Sequence, residues 1–405
     1  MKITIIHAHW NNRGDEAALR ALVDELHEKY NSAEINVQVL ASTVYQFPYE
    51  DEKIHLSNVQ FPKKKNLVDY WLAYLSKGKI CILKNTKEFV KLVSNSDLVL
   101  HGPGGPSIGD IYFNDEERYL KRLDLVRRMG INYAFFAPSM GPFKSDDDKR
   151  NALRRRVLEN AAFIYLREAT SAQFVKDFGI KKKVTVSLDS AFQHYGDADK
   201  YEKQFNEYTE LKNFMSKYDK IVGMTTTDLL WHPIHGKNKE VEPNIRKSFS
   251  DFIQYLGTKN IGVVFVPQLF GMHHDKKYME TFQTENCFVV DDEHDCYFQQ
   301  HIISKFYAVI GMRYHSNIFS AKMGTPFISV SYEQKMSGFM DISGLSDYCI
   351  KVEDLNADRL KTAFEYLEKN YNQYNSLLAE KKVEWKNEAH RTTDEVCAFL
   401  DGANS

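Results

Sequence analysis

Cysteine is scarce in this sequence and never patterned. Cys81, Cys287, Cys296, Cys349 and Cys397 are odd in number, scattered, and never in CxxC spacing. That argues against a disulfide framework or zinc cluster and fits a reduced compartment. Long apolar runs are missing as well: none approaches the ~20 residues a membrane helix needs. The opening MKITIIHAHW is too short and too soon polar for a secretory leader and reads as a first strand. The expectation is a cytoplasmic protein, free or at the inner face of the membrane. Charge of one sign is not in excess either. The net charge of −2 argues against a nucleic-acid binder. The short basic clusters Lys63–Lys65, Arg154–Arg156 and Lys181–Lys183 lie near acidic residues and read as solvated faces.

Several catalytic signatures are absent too. There is no GxGxxG or Walker lysine motif, no HExxH, no Gly-x-Ser-x-Gly elbow and no catalytic-cysteine signature. His7 with His9, His232 with His235, and the run His273-His274-Asp275 lack specific metal-ligand spacing. No metal and no cofactor are expected.

What is present is repeated α/β punctuation. The 405 residues, 43% of them hydrophobic, suffice for two ordinary cores. Apolar runs at Ile3–Ile6, Ile35–Ala41, Leu98–Leu100, Tyr133–Ala137, Phe163–Leu166 and Val184–Leu188 alternate with helical spacing and with loops rich in glycine and proline. Polar residues 194–219 interrupt the pattern. It restarts at Ile221–Met224, Ile261–Val266, Cys287–Val290, Tyr307–Ile310 and Phe327–Val330, and the chain after Asp354 is helical and charged. The expected fold class is α/β, with two Rossmann-type doubly wound domains over 1–195 and 215–370 and a helical tail over 371–405. Helical patches at Leu67–Leu75 and Phe89–Val93 have no evident packing partner. The aromatic-rich stretch 45–75 and the tail after Asp354 are candidates for shaping acceptor choice or membrane proximity.

The most informative stretch is Phe306–Gly338. An apolar strand ends at Gly311, and Arg313, Tyr314 and His315 stand where it passes into a helix. Ligands in open α/β sheets sit at that end of the strands, beside helix N-termini that favour anions. A guanidinium can grip a carboxylate or phosphate with two hydrogen bonds. An imidazole titrates near neutral pH, so His315 is the best acid–base candidate. Arg167 ends a strand in the first half much as Arg313 does in the second. Each could be a structural ion pair; together they could close on one anionic ligand in an interdomain cleft. Asn12-Arg13-Gly14-Asp15 is either an ordinary turn with Asp15 as helix cap or an anion-facing loop. Gly102-Pro103-Gly104-Gly105 is either a surface turn or a rigid wall of a site.

These pieces, in order, resemble the polysaccharide pyruvyl transferase family. The resemblance rests on Asn12–Asp15, the HGPGG loop, residues 137–142, 166–171 and 186–192, and the segment from Gly311 to Tyr332 with Glu333 and Lys335 beyond it. Where the family usually has consecutive glycines, this chain has Pro103 inserted. The resemblance implies a GT-B-like fold and transfer of pyruvate from phosphoenolpyruvate, a co-substrate, onto two hydroxyls of one sugar as a cyclic ketal. The sugar would belong to a capsular or other surface polysaccharide precursor, lipid-linked or nucleotide-linked. It implies that Arg167 and Arg313, with charge added by Lys335, hold the donor, and that His315 exchanges the proton. Asn12, Asp15, Gly104, Gly105, Asp189 and Glu333 are candidates for the acceptor or for shaping its loops. Two other readings remain open: a GT-B glycosyltransferase using a nucleotide sugar, and a non-catalytic glycan-binding or scaffold protein.

Overall fold

A computed structural model describes residues 1–8, 12–39, 52–62, 67–270, 274–282, 284–291 and 294–403 of the chain. His9, His273, part of the 45–75 stretch and the end of the expected strand Ile35–Ala41 lie outside these residues. The chain forms two compact units. One comprises Met1–Trp10, Ala18–His194 and Glu388–Ser405; the other comprises Asn11–Ala17 and Tyr195–Asn387.

The first unit is built on seven parallel strands: β1 (Lys2–Ala8), β2 (Glu34–Val39), β3 (Ile54–Ser57), β4 (Leu98–His101), β6 (Tyr133–Phe136), β8 (Ile164–Leu166) and β9 (Val184–Val186). Their order is β3-β2-β1-β4-β6-β8-β9. The apolar runs of the central strands are buried on both faces, as an all-parallel sheet requires. Side chains alternate between two cores. Ile3, Ile5, Leu98, Leu100 and Phe136 meet Leu22 and Leu26 on one side. Val99, Tyr133, Phe135 and Ile164 meet Leu120 and Leu123 on the other.

Two stretches read from sequence as loops hold more structure than that. β5 (Gly104–Ile108) and β7 (Pro138–Met140) pair in parallel as a separate two-stranded sheet, Gly104 with Pro138 and Ile108 with Met140. Their peptide groups are buried just past the main sheet and must find partners, whatever their glycine and proline content suggests.

The second unit repeats the plan with β10 (Lys220–Thr225), β11 (Ile261–Phe265), β12 (Cys287–Val289), β13 (Ala308–Gly311), β14 (Phe327–Ser331) and β15 (Cys349–Lys351), in the order β12-β11-β10-β13-β14-β15. The sequence pattern did not mark β3 or β15, which are sheet-edge strands of four and three residues. Polar residues 194–219 form two helices, Ala198–Glu207 and Thr209–Met215.

The C-terminal helix, Tyr371–Ala403, carries Val396, Cys397 and Leu400 into the first unit's core. His390 clasps it to the helix Arg13–Lys29. Its Nε2 lies 3.1 Å from Glu25 Oε2 and its Nδ1 3.0 Å from Asp394 Oδ1, while Glu25 Oε1 is 3.2 Å from His194 Nδ1. The bond from Glu25 raises the His390 pKa above its ordinary value despite partial burial. Burial pushes Glu25 upward, but its two histidines outweigh that and hold it at about 2. The imidazolium therefore stabilises the fold fully below about pH 6.5 and loses that effect as pH rises through its raised pKa. Glu25 contributes above about pH 4.5 and loses its effect as pH falls toward about 2. His390→Ala should thus lower Tm more near pH 5.5 than near pH 8.5. An equal loss at both would refute the charged clasp.

Candidate active site

Each sheet changes direction of winding at one place, between β1 and β4 in the first unit and between β10 and β13 in the second. Such switch points leave a crevice at the carboxyl ends of the strands. In the second unit Thr225 ends β10 opposite Gly311 at the end of β13. The Thr225 hydroxyl accepts from the backbone N–H groups of Met312 and Arg313, at 3.0 and 3.2 Å. This fixes the chain where it turns into the helix Tyr314–Met323, which ends at Gly324 in the left-handed conformation, φ 80°.

Arg313, 5% exposed, occupies that switch point. Its Nε and Nη2 donate to the two oxygens of Asp275, at 3.1 and 2.5 Å, and Nη2 also donates to Thr227 Oγ1 at 3.1 Å. The guanidinium lies 5.1 Å from the Trp231 ring centre, and Trp231 Nε1 donates to the same Thr227 hydroxyl. Burial opposes the charge, but the Asp275 carboxylate prevails and the Arg313 pKa is held above its ordinary value. Asp275 is itself positioned by backbone N–H donors from Gln268 and Leu269. The result is a permanently cationic, immobilised fork.

His315, also 5% exposed, follows in the first turn of the helix. A methyl group added to Gly14 would fall 1.9 Å from its Nδ1 and 2.0 Å from its Cγ. The imidazole therefore packs on the bare backbone of the Asn12–Asp15 motif. That motif belongs to the second unit although it starts the helix after β1. Asn12 bridges to Leu269, Arg13 N donates to Gln268 O at 2.9 Å, and the Arg13 guanidinium stacks 4.5 Å from the Phe270 ring centre. Arg13 also pairs with Glu16 at 2.6 Å, and Asn12 Oδ1 accepts from Gly14 N. Asp15 is half-buried at the start of this helix.

Glu333 and Lys335 follow β14. Lys335 Nζ lies 2.5 Å from Glu333 Oε2, and His232 Nε2 lies 3.3 Å from Glu333 Oε1. Burial would raise the Glu333 pKa, but Lys335 and His232 together hold it far below the usual carboxylate range. It is a carboxylate throughout the neutral range. The Lys335 ammonium also lies 5.7 Å from the ring centre of Tyr314, the neighbour of His315. His235 Nε2 is 2.9 Å from the carbonyl oxygen of Tyr332, whose ring lies 6.2 Å from Trp231.

The remaining candidates lie in the first unit. Arg167 ends β8, donating from Nη1 to Asp189 Oδ2 at 2.7 Å and from Nε to Ser139 Oγ at 2.9 Å. Both members of the pair are buried. Asp189 also caps the turn Ser190–Phe192 by accepting from Ala191 N. Gly104, at φ 134°, begins β5, and a side chain at Gly105 would meet nothing within 4 Å. The switch point of this unit holds two histidines that sequence reasoning did not rank. His7 (φ 67°) and His101 have ring centres 4.6 Å apart. His101 Nδ1 lies 2.8 Å from Gly102 O, so it donates there, and Nε2 lies 2.8 Å from Ser107 Oγ.

The second unit thus carries Arg313, His315, Lys335, Glu333, Asn12 and Asp15, with His315 packed on Gly14 and Lys335 paired with Glu333, while the first pairs Arg167 with Asp189. The Asp275 partnership, Thr227, Trp231 and Tyr332 went unrecognised in the sequence. Asp275 stands 38 residues from Arg313, with no spacing signal to connect them. A cationic fork, an ammonium and an imidazole at the ligand edge of a parallel sheet can hold an anion and exchange a proton.

Known proteins share this organisation. In solved structures, a putative UDP-N-acetylglucosamine 2-epimerase from Listeria monocytogenes aligns over 99% of this chain and 97% of its own, with TM-score 0.61 and 12% identity. Anabaena Alr3699/HepE in complex with UDP-glucose aligns over 99% and 100%, with TM-score 0.62 and 10% identity. At such identities the likeness establishes the fold, which is GT-B with a C-terminal helical segment. In sequence, the amylovoran biosynthesis protein AmsJ of Erwinia amylovora is 22% identical over 380 residues, 88% of this chain and 89% of that one. A family model described as polysaccharide pyruvyl transferase matches residues 12–334, from the motif that cradles His315 to the segment carrying Glu333. The chain therefore belongs to the polysaccharide pyruvyl transferase family.

Proposed function

We propose that the protein transfers pyruvate from phosphoenolpyruvate onto two hydroxyls of a sugar in a surface polysaccharide precursor, without a metal or cofactor. The observation that carries this reading is the Arg313–Asp275 fork two residues before an imidazole packed on Gly14. Phosphoenolpyruvate presents a phosphate and a carboxylate, and the reading assigns them first to Arg313 and Lys335. Arg167 keeps its proposed donor-binding role on its position at the end of a strand alone. His315 delivers a proton to the methylene carbon, which becomes the methyl group of the ketal. The carbon bearing the phosphate gains cationic character, and one sugar hydroxyl adds to it, its proton returning to the now basic His315 imidazole. The second hydroxyl then displaces inorganic phosphate, which carries away its proton, and closes the ring. Glu333, held anionic, is assigned to orienting the acceptor and steadying the cationic carbon, and Asp15 to the acceptor hydroxyls. The amylovoran biosynthesis relative supports a polysaccharide setting.

The test is to incubate the full chain with phosphoenolpyruvate and galactose-, glucose- or mannosamine-containing acceptors, reading phosphate release and acceptor mass. UDP- and GDP-sugars serve as competing donors. Phosphate release coupled to acceptor pyruvylation is expected. Consumption of a nucleotide sugar, with phosphoenolpyruvate neither bound nor consumed, would replace this reading with the glycosyltransferase one.

A further inference from the structure

The helix Leu67–Leu75 in the first unit is apolar on both sides. Tyr70 and Ala73 are buried, in the same core as Phe61, Phe89 and Val93. The opposite face comprises Val68, Trp71 and Leu75, which share one side at helical spacing and are 76%, 50% and 68% exposed. The chain continues through Ile80 and Ile82, 55% and 61% exposed. Asp69 draws that segment against the helix: its carboxylate accepts from Ile82 N at 2.7 Å and Leu83 N at 3.2 Å. Five large apolar side chains are thus exposed on this helix and on the segment tied to it. A monomeric soluble surface seldom gathers such a patch without use for it.

We propose that this face docks the protein on an anionic lipid surface. Charge around the patch favours that occupant. Lys77, Lys79, Lys84, Lys87 and Lys91 are all exposed across the turn and the following helix Lys84–Val93, against a single exposed acid, Glu88. This local excess stands in a chain whose net charge is −2. Apolar side chains bordered by lysines are the chemistry of an interfacial helix: the former enter the acyl boundary while the ammonium groups stay among acidic headgroups. An indole, as in Trp71, suits the same boundary. At nine residues the helix is far too short to span a bilayer. An apolar protein partner would need the patch but would gain nothing from the lysines. The inference does not depend on the donor proposed above. If both hold, the enzyme works where a lipid-linked acceptor is presented.

Vesicle flotation of the full chain tests it, with phosphatidylglycerol–phosphatidylcholine vesicles against phosphatidylcholine alone. The wild type is expected to float with the anionic vesicles, less so at high salt. Val68→Glu/Leu75→Glu, at the two most exposed positions of the helix, should weaken binding about tenfold or more. Lys77→Gln/Lys79→Gln/Lys84→Gln/Lys87→Gln should do the same for anionic vesicles and abolish the salt dependence. Both variants should melt with the wild type, since none of these side chains is buried. The Trp71 fluorescence, read as wild type minus Trp71→Phe, should shift to the blue on vesicle addition. A wild type that stays in solution with both vesicle types, or an unimpaired Val68→Glu/Leu75→Glu, overturns the proposal. So would a concentration-dependent dimer lost in that variant without vesicle binding, which would assign the face to a second copy.

Discussion

Replacing His315 with alanine is expected to lower kcat for phosphoenolpyruvate-dependent transfer by ~10²–10⁴-fold, the usual worth of a positioned proton donor. The KM for phosphoenolpyruvate should change little, because the proposed anion contacts belong to Arg313 and Lys335. Steady-state phosphate release supplies the rate, and calorimetric binding of phosphoenolpyruvate supplies the comparison. A variant that loses donor affinity but keeps its kcat would remove His315 from the proton step. Gly14→Ala probes the same imidazole from the other side. The new methyl group would lie 1.9 Å from Nδ1, far inside any non-bonded contact, so ring or loop must move. Overpacking of this kind costs ~1–3 kcal/mol. A fall in kcat smaller than that of His315→Ala, at unchanged donor affinity, is expected. Full activity in Gly14→Ala would mean that the placement of the ring against this backbone is irrelevant to turnover.

The second large effect is expected at Arg313, where stability and donor binding must be separated. Arg313→Ala strands the buried Asp275 carboxylate without its counter-ion, which costs ~3–5 kcal/mol. That corresponds to a drop in Tm on the order of 10 °C for a unit of this size. Arg313→Lys retains the charge but not the planar fork, so it cannot both satisfy Asp275 and keep a further donor aimed at an anion. Its KM for phosphoenolpyruvate should rise on the order of ten- to a hundredfold, with kcat less affected. The double variant Arg313→Ala/Asp275→Asn removes both charges and should recover much of the lost Tm without recovering donor affinity. Wild-type KM in Arg313→Lys would show that the fork serves only Asp275.

Much of the architecture is legible in the chain's own pattern. Continuous apolar runs separated by helical spacing can satisfy their backbones and bury both faces only as parallel strands between helices. Gly311, Gly324 and Pro326 mark where one element gives way to the next. The Arg313–His315 placement follows from this punctuation, because a residue that closes a strand and opens a helix stands at the ligand edge of any such sheet. The edge strands β3 and β15 escaped, since Ile54–Ser57 and Cys349–Lys351 are short and mix polar with apolar residues, whereas the equally short β9 and β12 were read as part of apolar runs. So did the pairing of β5 with β7, where glycine and proline mask strand-forming segments.

Other features exist only once the chain has closed on itself. Asp275 meets Arg313 across 38 residues. The Asn12–Asp15 motif reads as a turn of the first unit, yet its backbone contacts belong to residues 268, 269 and 315 of the second. Local spacing records what neighbouring residues can do together. It cannot record which distant backbone will be bare enough, at Gly14, to receive an imidazole, because that choice is made by packing over hundreds of residues. The Arg313 guanidinium and the His315 imidazole were therefore written in the sequence, while the carboxylate that immobilises one and the glycine that seats the other were supplied by the tertiary fold.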